Sequence, residues 1–299
     1  MILPATMLAR ISRNYGGKTA YHCGPVSRTW DEMNDRSGRL AAGLFSQGLT
    51  KGDSVVILGK DSVEVFEHYF ACMKAGFVRV SINWRYAAAE IAHILEDCDA
   101  KVVLVQAGFV DVLRDALQIA GLHGDCTLIG FGEGHGLEED YDRLIAVSVP
   151  LEPQDLLPEE PLVISYTSGS SGVPKGVIHS HRSVALIIYQ GAVSRGLTTD
   201  DVWYPAIASS WMACVLGMIG LVNGMTTVMM DGSFKVDSFI DEVSRHKVTA
   251  ALMVPTMIRR VLDACEGQEE VLSSLRLLAY GSAPITVSLL KRVMDTLDV

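Results

Sequence analysis

One stretch near the middle of the chain concentrates residues that can hold a polyphosphate. Residues 166–176 have the sequence YTSGSSGVPKG and lie between two extended segments. Two glycines let the backbone turn tightly and approach a ligand closely, and hydroxyl and backbone N–H groups around such a turn form a concave site for anions. The stretch therefore predicts a phosphate-binding loop, formed by Thr167, Ser168, Gly169, Ser170, Ser171, Gly172 and Lys175.

Two common motifs built from glycine and serine do not fit this stretch. A Walker A loop requires Gly before its Lys and Ser or Thr after it, but Pro174 precedes Lys175 and Gly176 follows it. The G-x-S-x-G nucleophile elbow has no serine in frame here. An amidase-type Ser/Ser/Lys hydrolase stays open as an alternative, although the catalytic lysine that it needs well upstream is not evident. A flexible turn with an exposed lysine is the remaining alternative.

The composition indicates a globular and acidic protein. The chain has 299 residues, of which 49% are hydrophobic, and a formal net charge of −10. An acidic chain without a run of Lys and Arg argues against nucleic acid as a partner, so an anionic ligand must be held by local donors. The six cysteines are far apart, which favours buried thiols over disulfides. Because Met1 to Arg10 does not resemble a signal peptide, the sequence predicts a cytoplasmic protein.

Short β-branched runs alternate with longer helical patterns along the chain. This alternation predicts an α/β fold with a mostly parallel sheet and helices on its faces. The predicted strands are 54–58, 77–82, 101–105, 126–129, 162–166, 176–179, 225–230, 249–253 and 275–280. The predicted helices are 62–74, 87–97, 110–120, 182–194, 236–246, 255–265 and 286–297. Residues 150–161 are rich in proline and acidic residues and predict a linker, which divides the chain into portions 1–155 and 156–299.

The longest apolar run, Met212 to Met230, is interrupted by Asn223, two threonines and three glycines. A transmembrane helix is one interpretation. A buried helix, a turn at Gly224 and a buried strand explain the run better, so no transmembrane segment is predicted.

The loop and several other segments together resemble the adenylate-forming superfamily, in its acyl-CoA synthetase branch. Residues 166–177, with Ser180 and His181, are similar to the signature loop of that superfamily. Four more segments resemble further motifs of that superfamily in the same order. They are residues 28–33 (RTWDEM), 51–55 (KGDSV), 73–83 (MKAGFVRVSIN) and 280–285 (YGSAPI). The resemblance implies the large N-terminal domain of that fold, with two mostly parallel β-sheets flanked and separated by helices.

The resemblance also implies a reaction and a set of ligands. A carboxylate attacks the α-phosphate of ATP, bound with Mg²⁺, to give an acyl-adenylate and pyrophosphate, and coenzyme A then accepts the acyl group. The loop would bind the β- and γ-phosphates. The adenine would lie against Gly281, Ser282, Ala283 and Pro284, and the acyl pocket, within segment 205–224, would include Ser209, Trp211 and Val215. The apolar side chains of that segment, with no acidic residue among them, favour a fatty or aryl acid.

The sequence departs from the family in two respects. No His follows Pro205, and Trp211 is either its substitute or a core residue. Family members are also much longer, so the residues that bind ribose, the metal-linked Glu and the catalytic Lys are expected beyond Val299, and the isolated chain is expected to be inactive. A non-catalytic nucleotide-binding module stays open, as does a homodimer. His179 and His181 lack further ligands nearby, and no metal site is predicted among the residues of this chain.

Overall fold

A computed structural model describes residues 2–122, 124–167, 173–210 and 212–297. The strands are β1 (Thr19–Cys23), β2 (Val26–Thr29), β3 (Ser54–Leu58), β4 (Val78–Ile82), β5 (Ala100–Gln106), β6 (Thr127–Phe131), β7 (Glu139–Asp140), β8 (Pro161–Thr167), β9 (Lys175–Ser180), β10 (Val202–Pro205), β11 (Thr226–Met229), β12 (Ala250–Met253) and β13 (Leu277–Tyr280). The helices are α1 (Pro4–Tyr15), α2 (Trp30–Ser46), α3 (Val63–Ala75), α4 (Ala88–Asp97), α5 (Val110–Ala120), α6 (Tyr141–Val147), α7 (His181–Ser194), α8 (Gly220–Asn223), α9 (Val236–His246), α10 (Pro255–Ala264) and α11 (Val287–Thr296). Three short 3-10 helices cover Ala107–Phe109, Met212–Met218 and Glu269–Leu272.

The first sheet has the strand order β7-β6-β5-β3-β4-β8-β9. Its strands run parallel except for the last pair, β8 and β9, which form an antiparallel hairpin at the edge of the sheet. The central strand β3 has the sequence SVVIL and is buried along its whole length, as expected for a parallel strand covered on both faces. Helix α3 follows β3 and ends at Gly76, whose φ of 75° places it in the left-handed region that favours glycine.

The second sheet has the strand order β13-β12-β10-β11-β1-β2. Strands β13, β12, β10, β11 and β1 are mutually parallel, and β2 pairs with β1 in the antiparallel direction. The carboxyl ends of parallel strands lie at one edge of a sheet, where open α/β folds bind their ligands.

Each sheet contains strands from both sides of residue 155. Strands β1 and β2 join the second sheet, while β8 and β9 join the first. The division of the chain into portions 1–155 and 156–299 stays a prediction. The boundary between the two sheets does not coincide with it. The predicted fold class, two mostly parallel sheets with helices around and between them, is confirmed.

The helices between the sheets carry the largest hydrophobic core. Tyr21 of β1 packs against Phe66 of α3 with ring centroids 4.9 Å apart, and against Trp30 of α2 at 5.9 Å. All three are buried in one cluster. Helix α2 begins at Trp30 because Thr29 and Glu32 form a capping box, in which each side chain accepts a hydrogen bond from the other residue's backbone N–H.

The apolar run from Met212 to Met230 divides into short elements. A 3-10 helix, α8, a left-handed Gly224 with φ of 76°, and β11 follow one another, which agrees with the helix, turn and strand expected from the sequence. Among the described residues, no helix combines the length and apolar character that crossing a bilayer requires. All six cysteines are free thiols, five of them buried.

Candidate active site

The predicted phosphate loop connects the two strands of the β8–β9 hairpin. Thr167 at the end of β8 pairs with Lys175 at the start of β9, and both side chains are exposed. Ser168, Gly169, Ser170, Ser171 and Gly172 lie outside the described residues. The structure therefore defines the stem of the loop and brings Thr167 and Lys175 together at its two ends.

Helix α4 fixes the stem of this hairpin from one side. The hydroxyl of Tyr166 donates a hydrogen bond of 2.6 Å to Asp97, and the ring of His93 donates one of 2.9 Å to the carbonyl of Pro174. Burial and the hydrogen bond to Asp97 raise the pKa of Tyr166, so the hydroxyl keeps its proton and acts as a donor. Both strands of the hairpin are thus tied to the same helix next to the loop.

The two strands also approach each other closely at Gly176. A Cβ atom on this residue would lie 2.7 Å from Cγ2 of Ile164 and 3.2 Å from the ring of Tyr166. A contact of 2.7 Å is shorter than carbon atoms allow, so the close pairing beside the loop requires glycine.

His181, which the sequence places next to the loop, begins α7 and is fully buried. Neither ring nitrogen forms a hydrogen bond with a described residue. Burial lowers the pKa of His181 to about 4, because an imidazolium ion loses its hydration there. The ring is therefore neutral at pH 7 and packs as part of the structure.

A cavity of about 210 Å³ lies at the carboxyl ends of β10, β12 and β13. These three strands are neighbours in the second sheet. The cavity is lined by Arg195, Ala206, Ile207, Ala213, Leu216, Leu252, Met253, Val254, Tyr280, Gly281 and Ser282. Its mostly apolar wall with a few polar groups is typical of a small-molecule site.

The cavity is lined by part of the predicted adenine site and by other residues of segment 205–224, such as Ile207 and Leu216, but not by Ser209 or Val215. Gly281 and Ser282 of the predicted adenine site line it, and Ser282 has a φ of 65°, a left-handed conformation that is uncommon for serine. Ala283 and Pro284 follow as exposed residues. Of the predicted acyl residues, Ser209 is buried beside a smaller cavity, Val215 lies in the main core, and Trp211 lies outside the described residues.

Two charged side chains of the first sheet hold Ser209. The carboxylate of Asp61, just after β3, accepts a hydrogen bond of 2.7 Å from the backbone N–H of Ser209. The guanidinium of Arg79 on β4 donates one of 3.1 Å to the carbonyl of Ser209. Both side chains are buried, and burial raises the pKa of Asp61. Loop 206–210, which follows β10 of the second sheet, is therefore clamped to the first sheet.

Loop 206–210 connects the two parts of the site. Ile207 lines the cavity of about 210 Å³, whereas Ser210 borders a small cleft with Asn83 and Tyr166 at the carboxyl ends of β4 and β8. Because Tyr166 lies next to Thr167 at the stem of the hairpin, one loop runs from the cavity to the base of the phosphate loop. A ligand that spans both regions would carry phosphate groups at one end and an apolar group at the other.

The chain matches the family described as "AMP-binding enzyme" over residues 8–299. It belongs to that family. The chain is similar to the fatty acid–[acyl-carrier-protein] ligase ScoC of Streptomyces coeruleorubidus, with 29% identity over 92% of this chain and 52% of that protein. The indoleacetate–CoA ligase of Aromatoleum aromaticum is 29% identical over 93% of this chain and 54% of that protein. The chain thus spans about half the length of the curated relatives that it matches.

The fold of this family member agrees with that of solved structures. One of them is the crystal structure of the anthranilate CoA ligase AuaEII in complex with anthranoyl-AMP. Its TM-score with this chain is 0.92 at 24% sequence identity, and the match covers 100% of this chain and 58% of the AuaEII chain. This likeness establishes the fold as that of the N-terminal domain of adenylate-forming enzymes.

Several residues of the site were not found from the sequence. Arg195, Met253 and Val254 line the cavity, while Asp97 and His93 fix the stem of the phosphate loop. Met253 and Val254 could have been predicted, since they lie at the end of a predicted strand and ligands bind at the carboxyl ends of parallel strands. The partners on α4 could not, because only the folded chain brings α4 beside β8 and β9.

Proposed function

We propose that this chain carries the ATP- and acid-binding part of an AMP-forming acid–thiol ligase. Such an enzyme joins a carboxylic acid to the AMP moiety of ATP with release of pyrophosphate, and then transfers the acyl group to a thiol, usually that of coenzyme A, with release of AMP. The observation that carries the proposal is the position of loop 206–210, which runs from the base of the phosphate loop to the apolar cavity. The family membership supports the same reaction class.

The residues of the loop would bind the polyphosphate of ATP. Hydroxyl and backbone N–H groups from Thr167 to Gly172 would contact the β- and γ-phosphates, and Lys175 would add a positive charge. At an effective dielectric constant near a protein surface, two unit charges about 4 Å apart attract by about 4 kcal/mol. The whole chain has a net charge of −10, so its overall field would repel the polyphosphate. The local attraction by Lys175 would offset that repulsion.

The cavity would bind the rest of the acyl-adenylate. The adenine would lie against Gly281 to Pro284, and the acyl group would extend along Ile207, Leu216 and Leu252. Apolar walls of this kind suit a fatty or aryl acid. Ser209 would act on this pocket indirectly, as the point where the first sheet holds loop 206–210. Val215 lies in the core behind the pocket, and the role of Trp211 in the pocket stays a prediction.

Mg²⁺ and coenzyme A would enter with the substrates. Mg²⁺ would arrive bound to the phosphates of ATP. Among the described residues, no group of three His, Cys, Asp or Glu side chains suits a metal ion. Coenzyme A is the acceptor named for the indoleacetate relative, whereas a carrier protein is named for ScoC. We propose coenzyme A as the acceptor, in the reducing cytoplasm that suits six free thiols.

Calorimetric titration of the purified chain with ATP and with AMP tests the proposal. Lys175→Ala should weaken ATP binding by about tenfold or more, since a charge-assisted hydrogen bond is worth about 1.5–3 kcal/mol, and should leave AMP binding nearly unchanged. Lys291→Ala, at an exposed position on α11, is the matched control. Equal ATP affinities for the wild type and Lys175→Ala would refute this role, and labelling of Ser170 or Ser171 by a fluorophosphonate would favour the hydrolase instead.

A further inference from the structure

A charged side chain lies on the wall of the proposed acyl cavity. Arg195 follows directly after α7, and among the described residues that line the cavity it is the one with a charge. Its neighbours on that wall include Ile207, Leu216 and Leu252. Arg195 is partly exposed, and the part of its guanidinium that is shielded from solvent would be stabilised by an oxygen partner, because a desolvated charge without a partner is unfavourable.

The strand register shows at which end of the cavity the guanidinium lies. Its central carbon is 6.0 Å from the ring centroid of Trp203. Trp203 pairs with Ala250 of β12, whereas the rim of the cavity near Gly281 lies at the pair Met253 and Tyr280. Ala250 and Met253 are three residues apart, which corresponds to about 10 Å along a strand. The carbonyl of Gly196, next to Arg195, also accepts a hydrogen bond from Arg276, which lies just before β13. Arg195 therefore approaches the cavity from the amino ends of these strands, the side opposite the proposed adenine site.

The donors of Arg195 are only partly used. One terminal nitrogen, Nη1, donates hydrogen bonds to the carbonyl of Gly191, at 3.1 Å, and to the hydroxyl of Ser194, at 3.4 Å. The Nε–H group is shielded from solvent and has no hydrogen-bond partner among the described residues. None of the ion pairs among the described residues involves Arg195. Partial burial also lowers the pKa of Arg195, in keeping with the shielded position of its Nε–H group.

We propose that Arg195 is a specificity-determining residue that binds an anionic or hydrogen-bond-accepting oxygen at the distal end of the acyl group. The substrate would then be an acid with a second oxygen function far from the activated carboxylate, such as a dicarboxylic acid. A purely aliphatic acid would leave the guanidinium against methylene groups and would bind less tightly. This assignment rests on the proposed function and narrows its substrate class.

Two non-reactive acyl-adenylate analogues of matched chain length test the assignment. Octanoyl-sulfamoyl-adenosine ends in a methyl group, and suberoyl-sulfamoyl-adenosine ends in a carboxylate. Calorimetric titration of the full chain should give about tenfold or tighter binding of the suberoyl analogue, as a charge-assisted hydrogen bond provides. In Arg195→Met the preference should disappear or reverse, and in Arg195→Lys part of it should remain. AMP should bind the wild type and both variants equally.

Arg182→Met is the matched control, because Arg182 lies in the first turn of α7 and pairs with Glu159 away from the cavity. It should keep the preference of the wild type. A wild type that binds AMP and both analogues without discrimination would overturn the assignment alone, and so would a preference that survives in Arg195→Met. A wild type that binds neither AMP nor either analogue would contradict the proposed function as well. If Arg195→Met does not fold, equal affinities of the wild type for the two analogues would still overturn the assignment, and Arg195→Lys would still test the role of the side chain.

Discussion

At the scale of single residues, the hairpin beside the phosphate loop depends on side-chain size at one position and on a neutral ring at another. Gly176 allows β8 and β9 to pack closely, and His181 fills buried space where the chain passes from β9 into α7. Neither residue needs to contact a ligand to matter for binding, because both fix the direction in which Thr167 and Lys175 enter the loop.

Gly176→Ala should destabilise the protein by about 1–3 kcal/mol, the range typical of an overpacked site. The new methyl group would press against Ile164 and Tyr166, which lie in the paired strand. Urea denaturation measures the change in the free energy of unfolding. Gly108→Ala is the control, since a Cβ at Gly108 meets nothing within 4 Å. Equal stabilities of the two variants would contradict the close packing described at Gly176.

His181 predicts a pH dependence of stability with a definite sign. Its pKa is about 4 in the folded protein, below the ordinary value of 6.5, so between these values the unfolded chain binds the extra proton. The stabilisation is complete above pH 6.5 and is lost as the pH falls from 6.5 to 4, by at most about 1.4 kcal/mol per pH unit.

His181→Asn should show a flatter profile over that window, although it is less stable than the wild type at pH 7. Urea denaturation at several pH values between 4 and 7.5 measures both curves. The other histidines contribute to both proteins and cancel in the comparison. Parallel curves would mean that His181 is not neutral and buried in the folded state.

At the scale of elements, loop 206–210 is the part of the site whose position depends most on distant residues. Asp61 and Arg79 belong to the first sheet and bind the N–H and the carbonyl of Ser209, which follows a strand of the second sheet. The backbone of Asp61 also bridges to Gly232 after β11. The clamp therefore fixes both the loop and the spacing of the two sheets at the site.

Asp61→Ala should release the backbone amide of Ser209 and cost about 1–3 kcal/mol, the penalty for leaving a buried donor without its acceptor. Hydrogen–deuterium exchange of the peptide containing residues 206–210 should become faster. In Asp61→Asn, which keeps a carbonyl acceptor, the exchange rate should lie between those of the wild type and Asp61→Ala.

Asp201→Ala is the control for Asp61→Ala. Asp201 is a buried carboxylate at the other end of β10, where it binds Arg276 and Thr249. Its loss should destabilise the protein without speeding exchange in residues 206–210 more than in β10 itself. Unchanged exchange at residues 206–210 in Asp61→Ala would contradict the clamp.

The sequence predicted some elements better than others. The buried strand β3 and the helix α3 were recognisable because a run such as SVVIL is typical of a buried strand and a one-sided apolar spacing is typical of a helix. Strands β1 and β10 were not predicted, since their short sequences, TAYHC and VWYP, carry no clear alternation. The motif at residues 166–176 was recognisable because it is continuous in the sequence, and the family that it indicated is confirmed, while its phosphate-binding role stays a prediction. Asp61, Arg79 and Arg195 were not recognisable, because their roles arise from contacts between distant parts of the chain.

At the scale of the whole molecule, the two sheets are interlocked by exchanged strands. The first portion of the chain contributes β1 and β2 to the second sheet, and the second portion contributes β8 and β9 to the first. The stem of the predicted phosphate loop, Thr167 and Lys175, thus belongs to the first sheet, and the cavity lies at the edge of the second. A ligand that occupies both would hold the sheets together, so its binding should raise the thermal stability of the entire chain.

A crystal structure of this chain with octanoyl-sulfamoyl-adenosine would test most directly whether the cavity is the acyl-adenylate site. We expect electron density in the cavity at the carboxyl ends of β10, β12 and β13, with the adenine against Gly281 to Pro284. The acyl chain should extend between Ile207 and Leu252 towards Arg195. An analogue bound elsewhere on the chain, or a cavity that stays empty at saturating analogue, would contradict the assignment of this cavity as the acyl-adenylate site.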